Sequence, residues 1–168
     1  MRRARGARGA TPLRVDVLRH GLARSDLPSA RAIGAWASAA LGRKARGGEL
    51  AVRIVGPRQS RALNERYRRR DRATNVLSFP VHAAARRQGP AAALAQPLGD
   101  LVICPRIVRA EARRQRKTVR AHFAHLVVHG ALHLIGYDHE RPREARRMER
   151  REIAVLKRLG FANPYRRL

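Results

Sequence analysis

Apolar and polar side chains alternate along Leu13-Arg-Val-Asp-Val-Leu18, the period of a strand with one buried face. Glu49-Leu-Ala-Val-Arg-Ile-Val55 repeats the alternation and predicts a second strand. Asn75-Val-Leu-Ser-Phe79 predicts a short third strand stopped by Pro80, which has no N–H for a ladder. Leu98 to Cys104 predicts a fourth. Helical periods fill the intervals. Ser29 to Leu41 places Ile33, Trp36, Ala37 and Ala40 on one face, and Arg58 to Arg69 places Leu63 and Tyr67 one turn apart, both expected to point inward. Pro105 to Gln115 and Val119 to Ile135 predict two further helices. The last is expected from Pro142, a favoured first-turn residue, to Leu159 before Gly160, burying Ile153, Leu156 and Leu159. Arg43 to Gly48 reads as a loop, and His82 to Pro97, with Gly89, Pro90 and Pro97, as a long surface loop. Four short strands among five helices predict a single α+β domain, a small mixed four-stranded sheet flanked by helices. It is expected to span residues 12–168 behind a disordered basic tail at 1–11.

Within the penultimate helix the polar positions carry chemistry. His129 and His133 stand four residues apart in an apolar run, so their imidazoles leave the same face one turn apart. Gly136 follows where a helix ends through a left-handed residue, a conformation only glycine adopts without steric cost. The chain can reverse there and return His139 beneath the pair. Three imidazoles spaced HxxxHxxGxxH leave a fourth tetrahedral position open, the ligand count of a catalytic zinc site rather than a closed structural one. His125 lies one turn before His129, but about 12 Å of helix axis separates it from His133, too far to share an ion. It is expected in the core or as a contact of a ligand. Zinc proteases of the HExxH type place a glutamate after the first histidine as general base. Here that position is Gly130, so peptide hydrolysis by that route is not expected. Asp138 and Glu140 are the nearby carboxylates; they lie past the helix end and equally suit orienting a His ligand.

Composition changes this picture in one respect. A formal charge of +26 concerns partners rather than fold, and it points to polyanions, with nucleic acid ahead of acidic lipid. Only Lys44, Lys117 and Lys157 among the basic residues are lysine, which shows a bias toward arginine; that bias does not account for the scarcity of acids. The single cysteine, Cys104, rules out an internal disulfide and reads as a small buried residue in a reducing compartment. No apolar run approaches the ~18 residues of a membrane span, and the arginine-rich start lacks the apolar segment of a secretory signal. A cytoplasmic protein is expected. No P-loop, GxGxxG turn, CxxC or G-x-S-x-G elbow is present.

The stretch from His129 to His139, HGALHLIGYDH, resembles the HGxLHLxGYDH signature of the YbeY family of bacterial metal-dependent endoribonucleases. Further blocks in the same order carry the resemblance: Leu63-Asn-Glu-Arg-Tyr-Arg68, then Asp71, then Thr74-Asn-Val-Leu-Ser-Phe-Pro80; Gly99 to Cys104; Met148-Glu-Arg-Arg-Glu152; and Gly160-Phe-Ala-Asn-Pro-Tyr165. It covers roughly residues 50–165. The resemblance implies one zinc ion held by His129, His133 and His139, and cleavage of single-stranded RNA. It also implies roles in maturing the 3′ end of small-subunit rRNA, in ribosome biogenesis and in ribosome quality control. Arg68 falls on the family's functional arginine, and Asp100 on a position linked to contact with a small-subunit ribosomal protein; as a bare residue Asp100 equally suits a turn before the strand. Arg72-Ala73 departs from the family, whose members often have proline before the threonine, so a looser loop is expected there. Two nucleophiles stay open, water or the RNA 2′-hydroxyl, and they leave different 3′ ends. A metallohydrolase acting on another substrate and a non-catalytic ribosome-assembly factor are the rival readings.

Overall fold

The computed structural model describes residues 13–19, 27–45, 47–81 and 96–166. Its strands form one sheet in the order β1 (Arg14–Arg19), β2 (Gly48–Ile54), β4 (Gln96–Ile103), β3 (Val76–Pro80). β1, β2 and β4 run parallel and β3 runs antiparallel to β4, so the sheet is mixed. Five helices accompany it: α1 (Ala30–Leu41), α2 (Pro57–Arg68), α3 (Pro105–Arg114), α4 (Val119–Leu134) and α5 (Pro142–Arg158). The expected α+β domain is present. The proposed tail at 1–11 lies outside the described residues.

Alternation along the central strands decides which face carries the core. Leu50, Val52 and Ile54 of β2 and Leu101 and Ile103 of β4 pack against Ile33 and Trp36 of α1 and Phe123 and Val127 of α4. Cys104 is buried beside them, as its apolar setting predicted. α4 is buried on nearly every side, including Phe123, Val127, Val128, Ala131 and Leu132, so its histidines form its main polar stripe. Side-chain caps fix its start: the Thr118 Oγ1 accepts from the Ala121 N–H at 3.1 Å, and Ser29 does the same for Ala32 at the head of α1. Each such cap stabilises its helix by about 1 kcal/mol. On the opposite sheet face α2 covers Val55, Leu77 and Val102 with Leu63. Beyond that patch the face carries the ion pairs Arg14–Glu49 at 3.3 Å and Arg53–Asp100 at 3.2 Å. Exposed pairs of this kind contribute at most about 1 kcal/mol.

Several local expectations need correction. Tyr67 does not point inward; it is 54% exposed, its ring edge-on to Phe79 at 5.0 Å, because α2 lies over the sheet edge and only Leu63 reaches its core. Pro80 closes β3 from within rather than lying beyond it, which an edge strand permits. Gln96 and Pro97 belong to β4, not to the preceding loop, whose residues 82–95 lie outside the described set. Gly42–Ala45 forms a 3₁₀ turn, and β2 already begins at Gly48. Asp100 is a β4 residue opposite Phe79, not a turn residue. In α5 only Leu156 of the three expected residues is fully buried; the buried stripe is Met148, Glu152, Val155 and Leu156. The loop after α2 is pinned despite its missing proline. Asn64 Nδ2 donates to the Arg72 carbonyl at 2.8 Å, Ser60 and Thr74 exchange two bonds, and Arg61 clamps Asp71 at 2.5 and 2.7 Å.

Candidate metal centre

His129 and His133 leave α4 one turn apart, and their Nε2 atoms lie 3.2 Å from each other. The helix ends as its sequence predicted. Gly136 takes a φ of 89°, and the Tyr137 N–H reaches back to the Leu132 carbonyl at 3.1 Å. This reversal brings His139 Nδ1 to 3.1 Å from His133 Nε2. Arg147 stacks on the Tyr137 ring at 5.3 Å, and Asp138 accepts from the His139 backbone N–H at 2.7 Å, so the returning turn is held at both residues. Asp138 therefore orders the returning turn; Glu140 is exposed.

The donor set fits a divalent ion. Metal–nitrogen bonds of 2.0–2.1 Å at tetrahedral angles imply nitrogen–nitrogen edges of about 3.3 Å, against the 3.1 and 3.2 Å observed. Protonation is also suitable. Burial first, then the neighbouring His129 and His139, push the His133 imidazole down to about 4, so its electron pair is free at neutral pH.

The residue that orients the site is Glu152. It is fully buried in α5, with Oε1 at 2.7 Å from His129 Nδ1 and Oε2 at 3.1 Å from His125 Nε2. The Tyr165 hydroxyl donates to the same Oε2. Burial raises this carboxyl, but the bonds from His125, His129 and Tyr165 outweigh it and hold the group at about 2. An ionised carboxylate only accepts hydrogen bonds, so His129 carries its proton on Nδ1 and turns a bare Nε2 toward the other histidines. This is the carboxylate–histidine arrangement that fixes tautomer and raises ligand basicity in metal sites. His125 takes the expected place in contact with the ligand shell, its burial lowering its own pKa.

A cavity of about 420 Å³ opens beside the cluster, lined among others by Asn75, Glu111, His122, His125, His129 and His139. Glu111 accepts from His122 Nε2 at 2.8 Å and from Asn75 Nδ2 at 2.9 Å, tying the residue before β3 to α3 and α4. The buried Nδ1 atoms of His122 and His125 find no hydrogen-bond partner among the described residues. Arg68 stands exposed in the last turn of α2 and does not line this cavity. Asp100 is engaged by Arg53 on the polar sheet face.

Gly130 explains why no protease-type base follows His129. A Cβ there would lie 2.8 Å from Leu101 Cδ2 and 3.1 Å from Ser78 Oγ, so this side of α4 is pressed onto the sheet and has no room for a carboxylate. Sequence reading missed Glu152, Tyr165 and the Asn75–Glu111–His122 chain. A signal existed for Glu152: an acid four residues after Met148 and three before Val155 sits on the apolar stripe of its helix, where a carboxylate persists only with partners.

The family model described as Endoribonuclease YbeY matches residues 29–160. The chain belongs to the YbeY family. Its relatives include the endoribonuclease YbeY of Halorhodospira halophila, 49% identical over 144 residues that cover 86% of this chain and 92% of that one. That of Stenotrophomonas maltophilia is 46% identical over 156 residues, 92% and 95% of the two chains. A Thermotoga maritima protein solved in solution shares the fold at a TM-score of 0.54 and 23% identity, over 91% of this chain and 99% of the other. The YbeY signature of the sequence thus coincides in space with the histidine cluster, and its outlying block Met148–Glu152 supplies the carboxylate beneath it.

Proposed function

We propose that this YbeY-family chain is a zinc-dependent endoribonuclease that cuts single-stranded RNA, with ribosomal RNA as its cellular substrate and the 3′ end of the small-subunit RNA as its target. The observation that carries the reading is the convergence of the His129, His133 and His139 nitrogens above a buried, ionised Glu152. His129, His133 and His139 would hold the zinc, and a bound zinc supplies a Lewis acid for a phosphoryl oxygen and lowers the pKa of water. The protein's own groups do the rest. Glu152 keeps His129 in its ligand tautomer and sets its direction. Arg68, exposed at the end of α2, binds a non-bridging phosphate oxygen through its planar guanidinium and offsets charge gathering in the transition state. The adjoining cavity receives the strand, and the excess of positive charge draws it in. The polar sheet face around Asp100 is the surface through which the protein meets the small ribosomal subunit, and maturation and quality control of that subunit in the cytoplasm is the setting. No helix among the described residues is long and apolar enough to cross a membrane.

The test is cleavage of an end-labelled single-stranded RNA by zinc-loaded protein beside His133→Ala and Arg68→Ala purified identically. Cleavage by the native chain, lost on chelation, restored by zinc, absent in His133→Ala and reduced about a hundredfold in Arg68→Ala supports the reading. Equal cleavage by native and His133→Ala protein refutes it. The 3′ end of the product separates attack by water from attack by the 2′-hydroxyl.

A further inference from the structure

A second cavity of about 570 Å³ adjoins the 420 Å³ one; Gln115, Lys117, Pro164 and Tyr165 line both. The walls of the second are otherwise Arg114, Arg116 and Arg166. It forms where α3 stops. The Lys117 N–H returns to the Ala112 carbonyl at 2.9 Å and the Arg116 N–H to the Arg113 carbonyl at 3.2 Å, which throws Arg116 into the left-handed region at a φ of 54°. Glycine is the residue suited to that position, and an arginine there is strained. The protein does not use the guanidinium in return: among the described residues neither Arg116 nor Arg166 makes a side-chain ion pair. Arg69 is left-handed too, but it lines neither cavity.

Lys117 has a different task. Its Nζ donates to the Pro164 carbonyl and to Gln115 Oε1, tethering the segment after α5 to the α3–α4 turn. The Tyr165 N–H is further held by Asn163 Oδ1 at 2.9 Å. The Tyr165 ring is thereby held, its hydroxyl on Glu152 and its plane T-shaped to His125 at 5.5 Å, yet the residue stays 43% exposed. A half-open aromatic flanked by guanidinium groups that form no ion pair among the described residues, in a cavity adjoining the one beside the histidine cluster, has the make-up of a stacking platform for single strands.

We infer that Arg116, Arg166 and Tyr165 form a subsite for single-stranded RNA flanking the cut, with one base on the Tyr165 ring and the neighbouring phosphate on the two arginines. This rests on the endoribonuclease reading. It gives the strained Arg116 a function the histidine cluster does not supply. Stacking also ties strand binding to Glu152 through the same tyrosine.

The experiment compares zinc-loaded full-length protein with Arg116→Gly, Arg166→Ala, Tyr165→Phe and Tyr165→Ala on a single-stranded decanucleotide, a trinucleotide and duplex RNA. Arg116→Gly relieves the backbone, so its melting temperature is expected to equal or exceed that of the native chain. Its Kd and KM for the decanucleotide are expected to rise about tenfold, more than for the trinucleotide, with the slope of log Kd against log salt reduced by about 1. Arg166→Ala acts in the same direction at a separate site on the chain. Tyr165→Phe keeps the platform, whereas Tyr165→Ala loses it. Native Kd, KM and salt slope in both arginine variants, or an equal loss on duplex RNA and on the single strand, overturns the subsite and leaves the endoribonuclease reading intact. Failure of the native chain itself to bind or cut RNA overturns both.

Discussion

Replacing Glu152 with glutamine keeps the side chain's shape and removes its charge. In the native chain three donors, from His129, His125 and Tyr165, meet on that one carboxylate. A glutamine offers one acceptor oxygen, so at least one donor must turn away or face an N–H. His125 has a bare, buried Nδ1 and can shift its proton there; His129 has no such freedom while its Nε2 serves a metal. A carboxyl held at about 2 instead of 4.5 reports on the order of 3 kcal/mol of preference for the charged form, at 1.36 kcal/mol per pH unit. Metal-free Glu152→Gln is therefore expected to lose up to about 3 kcal/mol of stability at neutral pH. The sign follows from the lowered pKa. The stabilisation is complete above the unfolded value of 4.5 and disappears as pH falls toward about 2, so native and variant stability curves should converge across that range. Zinc affinity should fall about tenfold to a hundredfold, the usual effect of losing a partner behind a histidine ligand. Urea denaturation of metal-free protein across pH, and zinc titration against a competing chelator, read the two effects. A folded variant with native zinc affinity and a stability curve parallel to the native one would show that Glu152 does not position His129.

Other expectations follow from the same packing. Gly130→Ala places a methyl 2.8 Å from Leu101 Cδ2, and overpacking of this kind costs about 1–3 kcal/mol; urea denaturation showing no loss would mean that α4 is not seated tightly on the sheet. Burial raises the Glu111 carboxyl, but the bonds from His122 and Asn75 lower it by more, to below 4.5. Its contribution is thus present above that pH and lost on acidification. Glu111→Gln should destabilise the protein at about pH 7 and progressively less as the pH falls below 4.5 in denaturant titrations, and a constant difference would exclude Glu111 as the source.

Much of the fold is legible in the sequence because its signals are local. Alternation along β1 and β2, proline at the first turns of α2, α3 and α5, and the caps Ser29 and Thr118 each depend on neighbours a few residues away. The same holds for the histidines. His129, His133 and His139 belong to one helix and the turn after it, so their convergence follows from helix geometry and a glycine that can take a φ of 89°. Burial was harder to read. Tyr67 and Phe79 were set by how far α2 overhangs the sheet, which no helical period encodes. Glu152 and Tyr165 come from elements more than twenty residues beyond His129, and only the docking of α5 on α4 puts a carboxylate under an imidazole. The fourth side of the problem, the missing base after His129, was visible as a glycine; its cause, the sheet pressed against that side of the helix, was not. Which residues could bind a metal is readable from the chain, since ligand type and spacing are covalent facts. The tautomer of His129, the lowered basicity of His133 and the shape of the cavity before them came only with the tertiary fold, because those depend on partners brought together across the core.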